Sequence, residues 1–303
     1  MHAIVARRDR VHQNGGALTD GYPRTDMRTV RISSAERGRS GAAPADEDVA
    51  SWLRGATDAD VALEGGARLA GLVRAAAPVE VEVDGATGAI DAAAAAAGLE
   101  RIRELVEMRR GLPLESGIAA APPLVTRPFR AGIDDDAVLA VNNRAFAWHP
   151  EQSGWTREVL GARLAEPWFD PEGFLLVDDA EPGRPDRDVI GFCWTKVHLD
   201  EDPPAGEIFV IGVDPAAHGR GIGRGLVVAG LDHLARLGLR RALLWTEADN
   251  SPAMALYRSL GFDVTRRHCW YATPGRPGAA PAAARPRTAH PRTAHLRAAR
   301  PER

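Results

Sequence analysis

One stretch, EIFVIGVDPAAHGRGIGR (Glu207–Arg224), constrains the fold of this chain more than any other. Its first half alternates apolar side chains, which predicts a strand, and an Asp-Pro pair ends that strand. Glycines then occupy every second position, at Gly219, Gly221 and Gly223, before an apolar periodic run that predicts a helix. Glycines let backbone N–H groups approach a phosphate closely, and a helix start favours an anion. The stretch therefore predicts a strand–loop–helix unit that binds a phosphorylated ligand.

Composition narrows the class of protein. The 303 residues are 45% hydrophobic and carry a formal net charge of -3, so a sizeable core is expected and nucleic acid is not an expected partner. No apolar run is long enough to span a bilayer, and the N-terminus lacks the apolar centre of a secretory signal. Cys193 and Cys269 form no disulfide framework, and no metal-ligand spacing is present. A cytoplasmic, metal-free monomer without a membrane partner is expected.

Composition also divides the chain into five segments. Residues 1–46 are polar and rich in Arg, Gly and Ser, and are expected to be disordered or poorly specified. Residues 113–123 form a linker with Pro and Gly, and residues 274–303 a disordered basic tail of Pro, Ala and Arg. Residues 47–112 and 124–273 mix strand and helix patterns, which predicts an α+β (α/β) architecture with a mixed central sheet flanked by helices.

A weak internal repeat relates the two structured segments. The strand pattern of Val79–Val83 aligns with that of Ala242–Thr246, and in the same register Gly98 falls on Gly261. The front segment has no counterpart of the glycine loop. We therefore expect residues 47–112 to be the remains of a second copy of the back-half fold, without a phosphate site of its own.

A second signature follows the glycine loop by one helix. The motifs V-D-P-x-x-H-G-R-G-I-G-R-G-L and A-D-N-x-x-A-x-x-L-Y-x-x-L-G-F together resemble those of the GCN5-related N-acetyltransferases (GNAT). The resemblance implies a GNAT fold: a degenerate or truncated GNAT-like half at 47–112, then a complete GNAT domain at 124–273. It also implies acetyl-CoA as co-substrate. His218 departs from the Gln or Arg that is common in this family.

The resemblance assigns acetyl-CoA to three segments. In the family the glycine loop holds the pyrophosphate, and the preceding strand hydrogen-bonds the pantetheine. The residues so implied are Ile211, Gly212, Val213, His218, Gly219, Arg220, Gly221, Ile222, Gly223, Arg224, Asn250, Ser251, Pro252, Ala253, Met254 and Ala255. A glycine inside a strand often marks a bulge, so we expect Gly212 to splay its strand from the next and open a slot.

Acetyl transfer to an amine needs a base near the amine and an acid near the departing thiolate. The resemblance assigns the base to Glu207, on the strand beside the cofactor, and the acid to Tyr257 of the second signature. A phenol is protonated at neutral pH and can donate to a thiolate. The structural alternatives are an exposed strand-end carboxylate for Glu207 and a core tyrosine for Tyr257.

Further stretches resemble one branch of the family more closely, including VNNRAFAWHPEQSGWT (Val141–Thr156) and GFCWTKVH (Gly191–His198). That branch acetylates the cysteinyl amine of a glucosaminyl-inositol thiol, so the resemblance implies this small pseudo-disaccharide as substrate. The residues implied to hold it are Glu151, Lys196, Glu207 and Trp245. Lys196 could instead be a solvated hairpin residue, Glu151 a helix-cap acceptor and Trp245 a core side chain.

Two other functions stay open from the sequence. The chain could acetylate another amine, such as a protein N-terminus or an antibiotic, or it could bind CoA without catalysis. Cys193 stands between two aromatic residues and is expected to be buried and inert. His198, His233 and His268 are scattered and are expected to be structural or exposed.

Overall fold

The computed structural model describes residues 29–34, 44–76, 78–115, 117–118, 124–149, 152–179 and 188–274. The strands in this part of the chain are β1 (Thr29–Ser34), β2 (Val79–Asp84), β3 (Glu100–Gly111), β4 (Arg127–Pro128), β5 (Phe174–Asp178), β6 (Val189–His198), β7 (Ala205–Val213), β8 (Arg241–Glu247) and β9 (Asp263–Ala272). The helices are α1 (Pro44–Gly55), α2 (Asp58–Asp60), α3 (Gly66–Ala76), α4 (Gly88–Ala96), α5 (Asp135–Ala145), α6 (Arg157–Leu164), α7 (Ile222–Arg236) and α8 (Ser251–Ser259).

All nine of these strands belong to one sheet, in the order β1-β2-β9-β3-β8-β7-β6-β5-β4. Every neighbouring pair is antiparallel except β7 and β8, which run parallel. A parallel pair needs a crossover, and α7 supplies it between β7 and β8. The glycine loop that precedes α7 therefore lies at the carboxyl end of β7.

The two copies of the sequence repeat interlock in this sheet. Each copy is a strand–helix–strand unit, β2-α4-β3 in the front half and β8-α8-β9 in the back half. Strand β9 lies between β2 and β3, and β3 lies between β9 and β8, so each unit contributes its last strand to the other. The helix of each unit is followed by a glycine with positive φ, Gly98 at 78° and Gly261 at 79°. The front half thus supplies a strand to the sheet of the back half.

Helices cover the two faces of the sheet unequally. On one face, α1, α3 and α4 pack over β2 and β9, while α7 and α8 pack over the back half. On the other face, α5 and α6 cover β5, β6 and β7 with an aromatic-rich core. Beside α5 and α6 this second face carries polar side chains on β3, β8 and β9, including Glu107, Glu247 and His268. We call this polar area the polar face.

The expectation for residues 1–46 is wrong at Thr29–Ser34, which forms β1. This strand pairs with β2 along its whole length, and Val30 is buried in the core beneath α1. Its pairing partner lies some fifty residues further along the chain, so the local pattern alone did not reveal it. Residues 1–28, 35–43 and the predicted tail from residue 275 onward lie outside the described residues. No helix in the described part is both long and apolar enough to cross a bilayer.

Candidate active site

The parallel strands β7 and β8 are paired only near their amino ends. Their register contains two pairs, Gly206 with Ala242 and Glu207 with Leu243. No further β7–β8 pairs are present among the described residues, so the strands part toward their carboxyl ends. The resulting wedge begins directly beyond Glu207, and it exposes β7 backbone groups on that side to a ligand.

A bulge lies where the wedge opens, but not at the expected residue. Along the β6–β7 ladder, Trp194 pairs with Val210 and Thr195 with Ile208, which leaves Phe209 as the extra residue. A bulge increases the local twist, which turns β7 away from β8. Gly212 was expected to be the bulge, and this is wrong: it pairs regularly with Phe192. Gly212 is needed for space, because a Cβ there would lie 2.7 Å from the Phe192 ring.

The glycine loop has the backbone conformation that an anion site requires. Gly219 and Gly221 adopt φ of 81° and 77°, and Gly221 is the N-cap of α7. A Cβ at either glycine would meet nothing within 4 Å, so the constraint there is the backbone and not crowding. The first turn of α7 carries no acidic residue, so its N–H groups and dipole face the loop without a competing carboxylate.

The remaining residues expected to hold the cofactor surround this loop. His218 Nε2 lies 3.2 Å from the Val213 carbonyl, and burial lowers the pKa of His218, which favours a neutral ring. A neutral imidazole can hydrogen-bond as the common glutamine does. Arg220 is exposed and pairs with Asp179, whereas Arg224 donates to Ser259 Oγ at 2.8 Å and ties α7 to α8. Arg224 therefore joins the first turn of α7 to the last residue of α8.

The start of α8 lies beside the loop, because β8 ends at the same edge of the sheet. Asn250 is the N-cap, and its Oδ1 accepts from the Ala253 N–H at 3.4 Å. Pro252 stands in the first turn, where its missing N–H costs nothing. Two helix N-termini, those of α7 and α8, thus flank the carboxyl ends of β7 and β8.

Glu207 is buried and not an exposed strand-end carboxylate. It is 2% exposed, and its Oε2 lies 2.7 Å from Nε2 of His198, which is also buried. His198 was expected to be structural or exposed, and the structure places it against the predicted base. The contact arises because His198 lies at the end of β6, close to Glu207 on the paired strand β7.

Lys196 and Trp245 lie on the same face of the sheet as Glu207. Lys196 is the cross-strand partner of Glu207, and its Nζ lies 4.8 Å from the centre of the Trp168 ring. Lys196 is therefore a buried cation held over aromatic rings and not a solvated hairpin residue. On β8, Glu207 pairs with Leu243, and Trp245 lies two residues further along that strand. Trp245 is almost completely buried. Glu151 lies outside the described residues.

Tyr257, the predicted acid, lies on the opposite face of the sheet from Glu207. It projects from α8 into the core beneath α7 and α8, where its ring meets Phe262 edge to face at 6.0 Å between centroids. Burial raises the pKa of Tyr257 well above its ordinary value, so the phenol holds its proton at neutral pH. Glu207 and Tyr257 therefore lie on opposite faces of the sheet. Cys193 is buried in the same core, and burial raises its pKa to about 12, so it is an inert thiol.

The structure adds three polar residues that the sequence did not suggest. Glu247, at the end of β8, accepts from Arg103 Nε at 2.9 Å, and its Oε1 lies 3.5 Å from His149 Nε2. Burial opposes ionisation of Glu247, but the bond with His149 and the charge of Arg103 hold its pKa below the ordinary value. Arg103 lies 144 positions from Glu247 in the chain, so no local pattern could have joined them.

The other two histidines noted in the sequence make structural contacts. His233 approaches Asp170, and His268 stacks on Trp270 while it bonds Glu82. No group of His, Cys, Asp and Glu in the described residues is arranged to hold a metal ion.

Comparisons with known proteins agree with this geometry. The acetyltransferase (GNAT) family model matches residues 141–262, the segment that contains the wedge, the glycine loop and Tyr257. Fold and site together define an acetyltransferase of the GNAT class. The mycothiol acetyltransferase of Nocardia farcinica is 47% identical over 207 residues, which cover 67% of each chain. This chain belongs to the mycothiol acetyltransferase family of the GNAT superfamily.

Other similar proteins have comparable coverage. The mycothiol acetyltransferase of Mycolicibacterium paratuberculosis is 47% identical over 192 residues, and the match spans 60% of each chain. A solved GCN5-related N-acetyltransferase from Sphaerobacter thermophilus is 24% identical, with a TM-score of 0.49, and matches 64% of this chain and 59% of that one. The expected GNAT fold, a mixed sheet flanked by helices, is confirmed, as is the expected acyltransferase class.

Proposed function

We propose that this chain transfers the acetyl group of acetyl-CoA to the cysteinyl amine of desacetylmycothiol, a glucosaminyl-inositol thiol, to give mycothiol. The observation that carries the proposal is the position of Glu207. It is the last β7 residue paired with β8, so its carboxylate lies where the wedge begins. The relatives named mycothiol acetyltransferase support the choice of substrate.

The wedge and the two helix starts suit acetyl-CoA. Backbone groups of Ile211–Val213 face the gap between β7 and β8 and can pair with the amides of the pantetheine. The positive-φ glycines of the loop turn N–H groups toward the carboxyl end of β7, where the pyrophosphate would lie. Residues Asn250 to Ala255, at the start of α8, would line the other side of the same gap.

The reaction is then a direct transfer without a covalent enzyme intermediate. Glu207 accepts a proton from the cysteinyl ammonium, while the bond with His198 holds its Oε2 and leaves Oε1 to the amine. The free amine attacks the thioester carbon, whose oxygen is polarised by a backbone N–H near Val213. The carbon–sulfur bond breaks, and Tyr257 donates its proton to the departing thiolate. The adduct nitrogen releases its second proton to water, and water returns a proton to Tyr257 and takes the one held by Glu207.

The acceptor would lie on the polar face of the sheet, beyond Glu207. Lys196 can donate to sugar or inositol hydroxyls from its place over Trp168, and Trp245 offers an apolar surface beside the amine. Glu151, in the connection between α5 and α6, would pair with the acceptor. We place this reaction in the cytoplasm. We assign it to a monomer, because one chain supplies the base, the acid and the phosphate loop.

The test is a turnover assay with purified protein, acetyl-CoA and desacetylmycothiol. We expect N-acetylated product and free CoA in equal amounts. A peptide with a free N-terminus and an aminoglycoside serve as competing amines, and we expect neither to be acetylated at a comparable rate. Folded protein that binds CoA but forms no N-acetylated thiol would contradict the proposal. Preferential turnover of a competing amine would redirect it to another substrate.

A further inference from the structure

The strand β3, which the front half contributes, carries a charged side chain on the polar face. Arg103 on β3 places Nε and Nη2 each 2.9 Å from Glu247 Oε1 on the neighbouring strand β8. Its guanidinium carbon also lies 4.7 Å from the centre of the Trp270 ring. The ring and the carboxylate fix the guanidinium in one orientation, as a planar fork permits.

Glu247 also contacts the connection between α5 and α6. Its Oε1 faces Nε2 of His149 at 3.5 Å. The Nδ1 atom of the same ring accepts a hydrogen bond from the Gln152 N–H at 3.1 Å, so the ring proton lies on Nε2, the nitrogen that contacts Glu247. The imidazole is buried, which prevents water from replacing either contact.

We call the described residues of this connection, 146–149 and 152–156, the acceptor loop. At its ends it is tied to α5, because Asn142 donates to the Gln152 carbonyl at 2.9 Å and Asn143 to the Trp155 carbonyl at 3.0 Å. His149 ties it to the sheet. In the sequence, Glu151, which is expected to bind the acceptor, lies between His149 and Gln152.

We infer that Arg103 is a positioning residue for the acceptor site: through Glu247 and His149, the front half of the chain fixes the acceptor loop of the back half. The inference rests on the proposed function for the identity of the acceptor. Without Arg103, a buried carboxylate loses its cation, which is costly, and Glu247 would turn toward solvent or gain a proton. Either response removes the partner of His149 and releases the loop.

The sheet also contains a matched control. In the register that aligns Gly98 with Gly261, Arg103 aligns with Arg266 and Glu247 with Asp84. Arg266 Nε indeed lies 2.7 Å from Asp84 Oδ1, between β9 and β2, and Asp84 is buried. The two ion pairs thus have the same chemistry at equivalent places. The second pair lies on the front-half side of the sheet, away from the acceptor loop.

The experiment compares Arg103→Gln with Arg266→Gln by hydrogen exchange and by kinetics. We expect similar losses of thermal stability. Only Arg103→Gln should speed amide exchange in the acceptor loop and raise KM for the amine. Each change should be about tenfold or more, which corresponds to the loss of one charged hydrogen bond. KM for acetyl-CoA should stay unchanged. Equal loop exchange in wild type and Arg103→Gln, or equal effects of both variants, would overturn the inference.

Two further variants allow the inference to be tested even if Arg103→Gln does not fold. If Arg103→Gln does not fold, His149→Ala breaks the chain of contacts at its other end and should give the same faster loop exchange. Arg103→Lys retains the charge without the planar fork and should lie between wild type and Arg103→Gln. Hydrogen exchange needs no substrate, so a wild type that does not acetylate desacetylmycothiol would refute the proposed function and leave this inference to be judged by the loop alone.

Discussion

At the scale of single residues, the site consists of charged groups buried in pairs. Glu207 is held by His198, and Lys196 lies across the strand from Glu207 against aromatic rings. Tyr257 approaches from the other face as a neutral phenol. The proposed base and the proposed acid thus lie on opposite faces of the sheet, as proton transfer on both sides of a thioester requires.

Replacing Glu207 tests the base. Glu207→Gln keeps the size and a contact with His198 but cannot accept a proton from the ammonium, so kcat should fall by roughly 10²–10³. Calorimetric affinity for acetyl-CoA should stay close to wild type. The exposed Glu172, at the entry to β5, provides the control Glu172→Gln, which should change neither quantity. Full kcat in Glu207→Gln would remove the base assignment.

Tyr257→Phe tests the acid with little disturbance of packing. The ring that meets Phe262 is retained and only the hydroxyl is lost, so the melting temperature should change little. Because the thiolate then departs without a proton donor, kcat should fall by about 10²-fold or more. Rapid-quench measurement of product formation follows the chemical step directly. An unchanged rate would show that Tyr257 is only a core residue.

At the scale of elements, the site depends on β7, its bulge and the loop that leads into α7. The strand–loop–helix order was predictable, because glycines, an Asp-Pro stop and an apolar helix are adjacent in the sequence. The position of the bulge was not predictable, since any residue can occupy a bulge. Phe209 is the extra residue, whereas Gly212 is a glycine because the Phe192 ring leaves no room for a side chain. Glycine in a strand indicated a constraint but not its kind.

Gly221→Ala should weaken cofactor binding. Its φ of 77° is the left-handed region, which costs alanine about 1–2 kcal/mol and distorts the N–H groups at the start of α7. Calorimetry should show a several-fold higher Kd for acetyl-CoA. Gly161→Ala in α6 is the matched control: it has open space and no positive φ, so it should leave Kd unchanged and slightly stabilise the fold. Equal Kd in both variants would argue against the loop as the phosphate site.

The start of α5 should be sensitive to acid. Burial opposes ionisation of Asp134, but hydrogen bonds from Arg127 and Arg130 hold its pKa at about 2. A depressed carboxyl pKa stabilises the fold above the unfolded value of about 3.9, and this stability is lost as the pH falls toward 2. Asp134→Asn should lose about 1 kcal/mol near neutrality, once solvent screening is allowed for, and flatten the unfolding free energy between these pH values. Parallel pH curves for both proteins would contradict this.

At the scale of the whole molecule, the two halves exchange their last strands within one sheet. The sequence repeat indicated that the units are related, but not that β9 would lie between β2 and β3. Strand order depends on pairings between residues far apart in the chain, and a periodic pattern reports only the local segment. For the same reason Arg103 could not be assigned to the site from the sequence.

The asymmetry between the halves predicts how many cofactors bind. The front half has the strands and helix of the repeat but no glycine loop ahead of them, so we expect one molecule of CoA per chain by isothermal titration calorimetry. A stoichiometry of two would mean that the front half holds a phosphate site of another kind. The variant Gly221→Ala distinguishes the cases, because it should weaken a single site and would leave a second one intact.

The most direct test of the central claim is competition for acetyl-CoA among amines in one mixture. Desacetylmycothiol, glucosaminyl-inositol without its cysteine, and free cysteine are offered together, and the N-acetylated products are separated by mass spectrometry. The account predicts acetylation of desacetylmycothiol at its cysteinyl nitrogen, in preference to both fragments, with nearly complete loss in Glu207→Gln. Equal acetylation of free cysteine, or product that persists in Glu207→Gln, would contradict it.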